Sequence, residues 1–344
     1  MKAKWFAASV VMAISAGAYM PQAYAEAKEI RIAKQYGIGY LPLAIMEHDH
    51  LVEKHAKAAG IEKLDVTWAS FAGANVMNDA LLSNSLDFAA VGTTSLPIMW
   101  SKTEGSRQEV KGACAIVSSP LFLNTRNPKV KSIRDLTDQD KIALPAVKVS
   151  IQAMILQMAA AQAFGEAQVN KLDRLTISRS HPDAMAALLS GTGEINGHFT
   201  WAPFQYRELK NPAVHTILNS FDVLGGSATT VVMLTTKRFH DENPKLYQAF
   251  LGAVAEATEI INNDKRHAAQ VYLDTTKDKD TVENIVKMLG DPQVKYTTMP
   301  ENIFRFTDFM HRMGTIKKVP ASWQDMFFPE VFSMNKASAA STPK

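Results

Sequence analysis

One cysteine, Cys114, stands in 344 residues. A lone thiol excludes an internal disulfide framework and a spaced-cysteine metal site. Its setting, "KGACAIVSS", reads as a buried strand, where a thiol packs as a small hydrophobe. Charge of one sign is scarce too. The 37 Lys+Arg stand against 34 Asp+Glu, a net +3. No basic stripe carries interleaved aromatics, so no nucleic-acid partner is expected. Beyond the first 25 residues, no apolar window approaches the ~20 residues of a membrane span. There is no Walker phosphate loop, no Gly-x-Ser-x-Gly elbow and no Gly-x-Gly-x-x-Gly fingerprint. The stretch "EHDHLVEKH" lacks His-Glu-x-x-His, and His48 and His50, two apart, face different sides of a helix. Nothing in the sequence points to a metal, a cofactor or a catalytic nucleophile.

What is present begins with an export signal. Lys2 and Lys4 give a positive start, "WFAASVVMAISAGAYM" a short apolar run, and Ala23-Tyr24-Ala25 a small-residue cleavage pattern. Cleavage after Ala25 is expected, which places the mature protein in the periplasm. It removes two lysines and no acid, leaving 35 Lys+Arg against 34 acids.

The rest alternates. "EIRIAKQ" has strand periodicity and breaks at "YGIGYLP". A helix is expected over 41–59, then the strand "LDVTWA", a helical "FAGANVMNDALLS", the strand "LDFAAV" and a helix opening at "GTTSLPIMW". This β-α-β-α-β-α order predicts a parallel sheet with helices on both faces. "VKGACAIVSSPLFLNTR" then holds two strand-like runs around Pro120, a first crossing between lobes. The alternation resumes through "KIALP", "VSIQAMILQMAAAQAFG", "KLDRLTIS", "PDAMAALLS" and "EINGHF". "AVHTILNSFDVLGGSATTVVMLTTKRF" reads as consecutive strands around Gly225-Gly226, a second crossing. Beyond it helices alone are expected. The polar tail "SMNKASAASTPK" is expected to be disordered.

Two phrases nearly repeat: "ALLSNSLDFAAVGTTSLP" from Ala80 and "ALLSGTGEINGHFTWAP" from Ala187. They read as equivalent helix-strand-loop units, one in each α/β lobe. Ligands of open α/β sheets bind beyond the carboxyl ends of the strands, where helix starts favour anions. Those ends supply the candidate ligand residues. Tyr36, Gly37, Tyr40, Phe71 and Ala72 come from the first two strand ends, and Thr93, Thr94 and Ser95 from the third. Ser119 lies at the first crossing. Lys148, Ser150, Arg179, His198 and Trp201 come from the second lobe. Hydroxyls and a few cations suit an anionic group, and the rings suit an apolar body. Several have a plainer role: Thr93–Ser95 as helix caps, Tyr36 and Trp201 as core aromatics, and Arg179 as an ion-pair partner of Asp183 four residues on.

These phrases, together with "IRIAKQYGIGYLPLAIMEHDHLVEKH" and "SIRDLTDQDKIALPAVKVSIQAMI", resemble periplasmic substrate-binding proteins of ABC importers. The group is the nitrate/sulfonate/taurine family, which also includes binders of thiamine-pyrimidine precursors. The likeness runs from Lys28 to Pro329. It implies an α/β, two-lobed type II binding protein, with two doubly wound sheets joined by two crossing segments and a helical C-terminal part. The expected division is a signal peptide at 1–25, a discontinuous first lobe at 26–117 and 228–333, a second lobe at 118–227 and a tail at 334–344. It implies closure on a small solute, which the helix starts and the rings Tyr36, Tyr40, Phe71 and Trp201 narrow to an organic anion, a sulfonate first and a carboxylate second. Delivery would be to an ABC permease with a separate ATPase, by a monomer that is not an enzyme. An exported cleft enzyme and a sensory receptor are the alternatives. Three departures bear on the ligand: Asn196 where the family has an acid, His198 where it has a small residue, and "AVKVS" where a Gly-Ser is common.

Overall fold

The computed structural model describes residues 26–334. The leader and all of the tail but Met334 lie outside the described residues. Strands are numbered in chain order. One sheet holds β1 (Glu29–Lys34), β2 (Asp65–Ser70), β3 (Phe88–Gly92), β4 (Val110–Ser118), β10 (Thr229–Thr236) and β11 (Lys295–Tyr296), in the spatial order β11-β4-β10-β3-β1-β2. The other holds β5 (Phe122–Thr125), β6 (Ile142–Leu144), β7 (Thr176–Ser178), β8 (Gly197–Thr200) and β9 (His215–Asn219), in the order β7-β6-β8-β5-β9.

The two sheets share one plan. In the first, β1 pairs in parallel with β2 and β3, and β10 enters antiparallel between β3 and β4. In the second, β6 pairs in parallel with β7 and β8, and β5 enters antiparallel between β8 and β9. β5 and β10 are the strands that follow the two crossings, so each sheet is completed by chain arriving from the other. β10, "TTVVMLTT", is buried at every position, as a strand with a neighbour on each side must be. The repeated phrases fall at matching places. The helix Ala74–Leu82 leads into β3, and the helix His181–Ser190 leads into β8.

The crossings run side by side. Ser118 Oγ donates to Ala228 O at 2.8 Å, and Leu121 and Ser220 exchange bonds of 2.9 Å through Leu121 N to Ser220 Oγ and Ser220 N to Leu121 O. The helices Pro244–Asn263 and Lys265–Thr276 pack back on Leu41–His48 and Leu51–Ala58, covering the first sheet.

Three elements differ from expectation. The helix over 41–59 is two helices, broken at Asp49-His50, where His50 takes φ 52°. The run through 215–236 is interrupted by a short helix, Ser220–Leu224, capped by the Asn219 side chain, with Gly225 left-handed after it. The C-terminal part adds β11, which pairs with β4 along its edge. A two-residue strand has no periodicity to read.

Candidate ligand-binding cleft

The strand ends meet across a cleft, and glycines set how closely. Gly37 takes φ 118°, and a Cβ there would fall 2.5 Å from Trp201 Nε1. At Gly39 it would fall 2.5 Å from Trp201 Cζ3. At Gly73 it would fall 2.6 Å from Pro145 O, and at Gly92 3.2 Å from Ile151 Cβ. All four glycines are on the first lobe and all four obstacles on the second. "YGIGY" is therefore more than a turn: it is a bed for an indole. Trp201, 4% exposed, lies there with Nε1 donating to Tyr36 O at 3.1 Å and its ring edge-on to Tyr40 at 5.1 Å. Beside it Ile38 N donates to Ala202 O at 3.1 Å. Thr94 Oγ1 donates across the cleft to Val149 O at 2.9 Å.

Behind Trp201 the lobes enclose a cavity of about 20 Å³, lined by Gln35, Tyr40, Ser150, Gln152, His181 and Thr230 among others. That is room for about one water. No lysine or arginine lines it. Ser150 caps the helix Ile151–Phe164, accepting from Ala153 N at 3.3 Å. Burial pushes the Tyr40 phenol up, against a bond to Gln35, so it stays neutral.

From this cavity a polar chain runs into the second lobe. Gln152 Nε2 lies 3.3 Å from His181 Nε2, and His181 Nδ1 lies 2.9 Å from His198 Nε2 and 3.1 Å from Thr200 Oγ1. His198 Nδ1 lies 2.5 Å from Glu208 Oε1. Asn124 Nδ2 donates to Glu208 Oε2 at 2.9 Å, and Thr216 Oγ1 to Asn124 Oδ1 at 2.7 Å. His198 and Glu208 are wholly buried. Burial, then the neighbouring His198, holds the His181 pKa well below the ordinary imidazole value, which keeps that ring neutral.

A second space of about 430 Å³ opens beside the first and shares Gln35 and Tyr40 with it. That volume is in the range of small-molecule sites. Tyr36, Met185 and Phe204 give it apolar wall, and its cations are already paired. Lys34 is bonded to Glu47, and Arg207 donates to Asp278 at 2.7 Å and Asp280 at 3.0 Å. Tyr206 OH donates to Asp291 at 2.7 Å. These last bonds tie the lobes on the outer side.

A family model described as NMT1-like matches residues 23–273, nearly three quarters of the chain. The chain belongs to the NMT1-like family. Its fold is that of the periplasmic binding proteins. The alkanesulfonate-binding protein of Xanthomonas axonopodis pv. citri, solved with MOPS, superposes with a TM-score of 0.66 at 16% identity, over 86% of this chain and 96% of its own. The periplasmic nitrate-binding protein of Synechocystis PCC 6803 gives 0.69 at 17%, over 92% and 90%. The periplasmic aliphatic sulphonate-binding protein of Escherichia coli gives 0.62 at 18%, over 88% and 93%. No curated protein sequence matches the chain.

In this NMT1-like chain the candidate residues divide by place. Tyr36, Gly37 and Tyr40 line the larger space, and Tyr40, Ser150 and Trp201 the smaller one. Ser119 lies beyond Trp201, in a small void on its other side, with Oγ 3.5 Å from Thr230 Oγ1. Thr93 Oγ1 donates to Thr229 O at 2.7 Å and Ser95 Oγ accepts from Asn78 at 3.3 Å, so these hydroxyls, with Thr94, already have protein partners. Phe71 packs on the core, while Ala72 is exposed beside it. Lys148, exposed at φ 63°, stands near Asp173, whose carboxyl burial pushes up against the opposing pull of Gln157 and Lys148. Arg179 is paired with Glu194, not with Asp183; Asp183 accepts from Ser180 Oγ at 2.5 Å. His198 stands one residue behind the cleft, inside the polar chain.

Sequence reasoning did not find Gln35, Gln152, His181 or Thr230. Gln35, Gln152 and His181 lie within two residues of a candidate and Thr230 lies near none in sequence; only the sheet plan brings all four to the cavity. The departure at Asn196 has a local cause: its amide donates to Asp140 at 2.7 Å, where an acid would face another acid.

Proposed function

We propose that this protein is the periplasmic solute-binding component of an ABC import system, a two-lobed receptor that closes on a small organic anion and hands it to a membrane permease with a separate ATPase. The observation that carries this is the cleft: two sheets of one plan, joined by paired crossings, meet through a glycine bed and a single indole. Family membership and the fold of the sulfonate- and nitrate-binding relatives support it. The division follows the crossings, with residues 26–117 and 228–333 in one lobe and 118–227 in the other. The mature protein acts as a monomer in the periplasm.

An organic sulfonate is the first choice of ligand and a carboxylate the second. Hydroxyl, amide and imidazole groups line the inner cavity and can hold an anion without a full counter-charge. The rings and Met185 beside it suit an aliphatic or aromatic body, which nitrate lacks. A ligand larger than one water requires the lobes to part and re-close, so binding and closure are one event. Calorimetry across nitrate, taurine, alkanesulfonates and benzoates tests the class. Tight binding of nitrate alone would overturn it. Mass spectrometry of the recovered ligand separates a receptor, which returns it unchanged, from an exported enzyme. Neighbouring genes for a permease and an ATPase separate import from sensing.

A further inference from the structure

The polar chain from Gln152 to Glu208 has a direction. The Gln152 amide nitrogen can only donate, so His181 Nε2 accepts and the ring's proton sits on Nδ1. That proton is donated to His198 Nε2, which places the His198 proton on Nδ1, donated in turn to Glu208 Oε1. Asn124 donates to the other carboxylate oxygen. Every link is satisfied with each ring carrying one proton and Glu208 carrying none. His181 and Gln152 both line the cavity and His181 Nδ1 is turned to β8, so the ring nitrogen left on the cleft side is Nε2, an acceptor in this arrangement, which is the wrong sign for an anion.

The surroundings of the chain hold little charge. His181 is faced by His198 and Thr200 on β8, by Gln152 on the helix Ile151–Phe164, and by the rings of Trp201 and Phe204. Gln35 and Tyr40 face the same cavity from the first lobe. His198 is faced by Glu208. Of these groups only Glu208 is an acid, and its ion-pair partner is His198.

We infer that the Glu208–His198–His181 chain takes up one proton as the lobes close on an organic anion, turning the cleft-facing Nε2 of His181 from an acceptor into a donor to that anion. This rests on the reading of the cleft as an anion site. The proton adds to His181 Nε2 while the Nδ1 proton passes to His198 Nε2. His181 stays neutral with its proton reversed, and His198 becomes an imidazolium against the Glu208 carboxylate. The Gln152 amide, no longer opposed by an acceptor, turns with it. One anion and one proton enter together, so the closed cleft gains no net charge. An alkanesulfonate is too weak a base to take the proton itself, so with that ligand the proton stays on the chain.

The test uses the full mature chain and ethanesulfonate. Calorimetry at pH 8 in Tris and in triethanolamine, cationic buffers of different ionisation enthalpy, is expected to show uptake of one proton per ligand. Affinity is expected to fall about tenfold per pH unit above neutrality, the slope of a single linked proton. Nitrogen NMR of the imidazoles is expected to find both rings protonated on Nδ1 at pH 8, and His181 protonated on Nε2 once ethanesulfonate saturates the protein. Glu208→Gln is expected to abolish the buffer dependence; if that variant does not fold, the wild-type slope and the NMR decide alone. Binding with equal enthalpy in both buffers and no pH dependence overturns the relay and leaves the anion site standing. Failure of both ethanesulfonate and benzoate to bind at any pH overturns the anion site, and the relay with it.

Discussion

Trp201 and Gly39 are the two halves of one contact, and they can be separated by mutation. Trp201→Ala removes a buried ring from the lobe interface. It should weaken ligand binding by about 1–3 kcal/mol through lost apolar burial, read by calorimetry with the tightest organic anion found. Gly39→Ala does the reverse: it leaves the ring and adds an atom where Trp201 lies 2.5 Å away. Closure should be blocked, with affinity down at least about tenfold, a loss of ~1.4 kcal/mol. The unfolding temperature should stay near wild type, because parted lobes relieve the clash. A large fall in that temperature would place Gly39 in the fold, not in closure. A third expectation concerns His181. Its pKa is depressed in the folded protein, so below the ordinary value of about 6.5 the unfolded chain binds a proton that the folded one refuses. Stability is therefore full above that pH and falls as pH drops toward the depressed value. Denaturant titrations between pH 5 and 8 should show this slope, and His181→Gln should flatten it.

At the scale of elements, the five-residue helix Phe204–Glu208 carries more than its length suggests. Phe204 stacks on His181, Gln205 O accepts from Asn124, Tyr206 and Arg207 reach acids of the first lobe, and Glu208 ends the polar chain. Arg207 is only 18% exposed at its side chain, so its pair with Asp278 and Asp280 is poorly screened. Arg207→Gln should favour the open form and weaken binding by roughly 1–3 kcal/mol. Scattering should then show a larger radius of gyration at equal ligand concentration. Unchanged dimensions would mean the pair is only a surface bond. Nothing in "FQYRE" announces these roles. A helix this short has no amphipathic period, and its partners lie up to 85 residues away. The strands were legible because alternation and buried runs are local, and the repeated phrases marked two equivalent units. Tyr36, Tyr40 and Trp201 were legible as rings at strand ends. Gln152 and His181 were not, because which face of a helix start meets the cleft depends on the other lobe.

For the whole molecule, the two crossings lie side by side, so the opening proposed above would be a rotation about them. Gly225 and Gly226, at φ 66° and 138°, sit at one side of it. Scattering with and without the tightest organic anion should show compaction on binding. Constant dimensions at saturation would remove the hinge.

The strand exchange between sheets also governs how the chain can be made. β3 and β4 are joined only by β10, and β10 lies more than a hundred residues beyond β4. Phe328 N, later still, donates to Gly112 O at 3.0 Å. An N-terminal fragment ending before Thr229 would therefore leave β3 unpaired on one side and β4 on both, and could not complete its first sheet. Such long-range closure is slow to form. The second sheet, all of whose strands lie between Phe122 and Asn219, can therefore close before the first, although the first begins earlier in the chain.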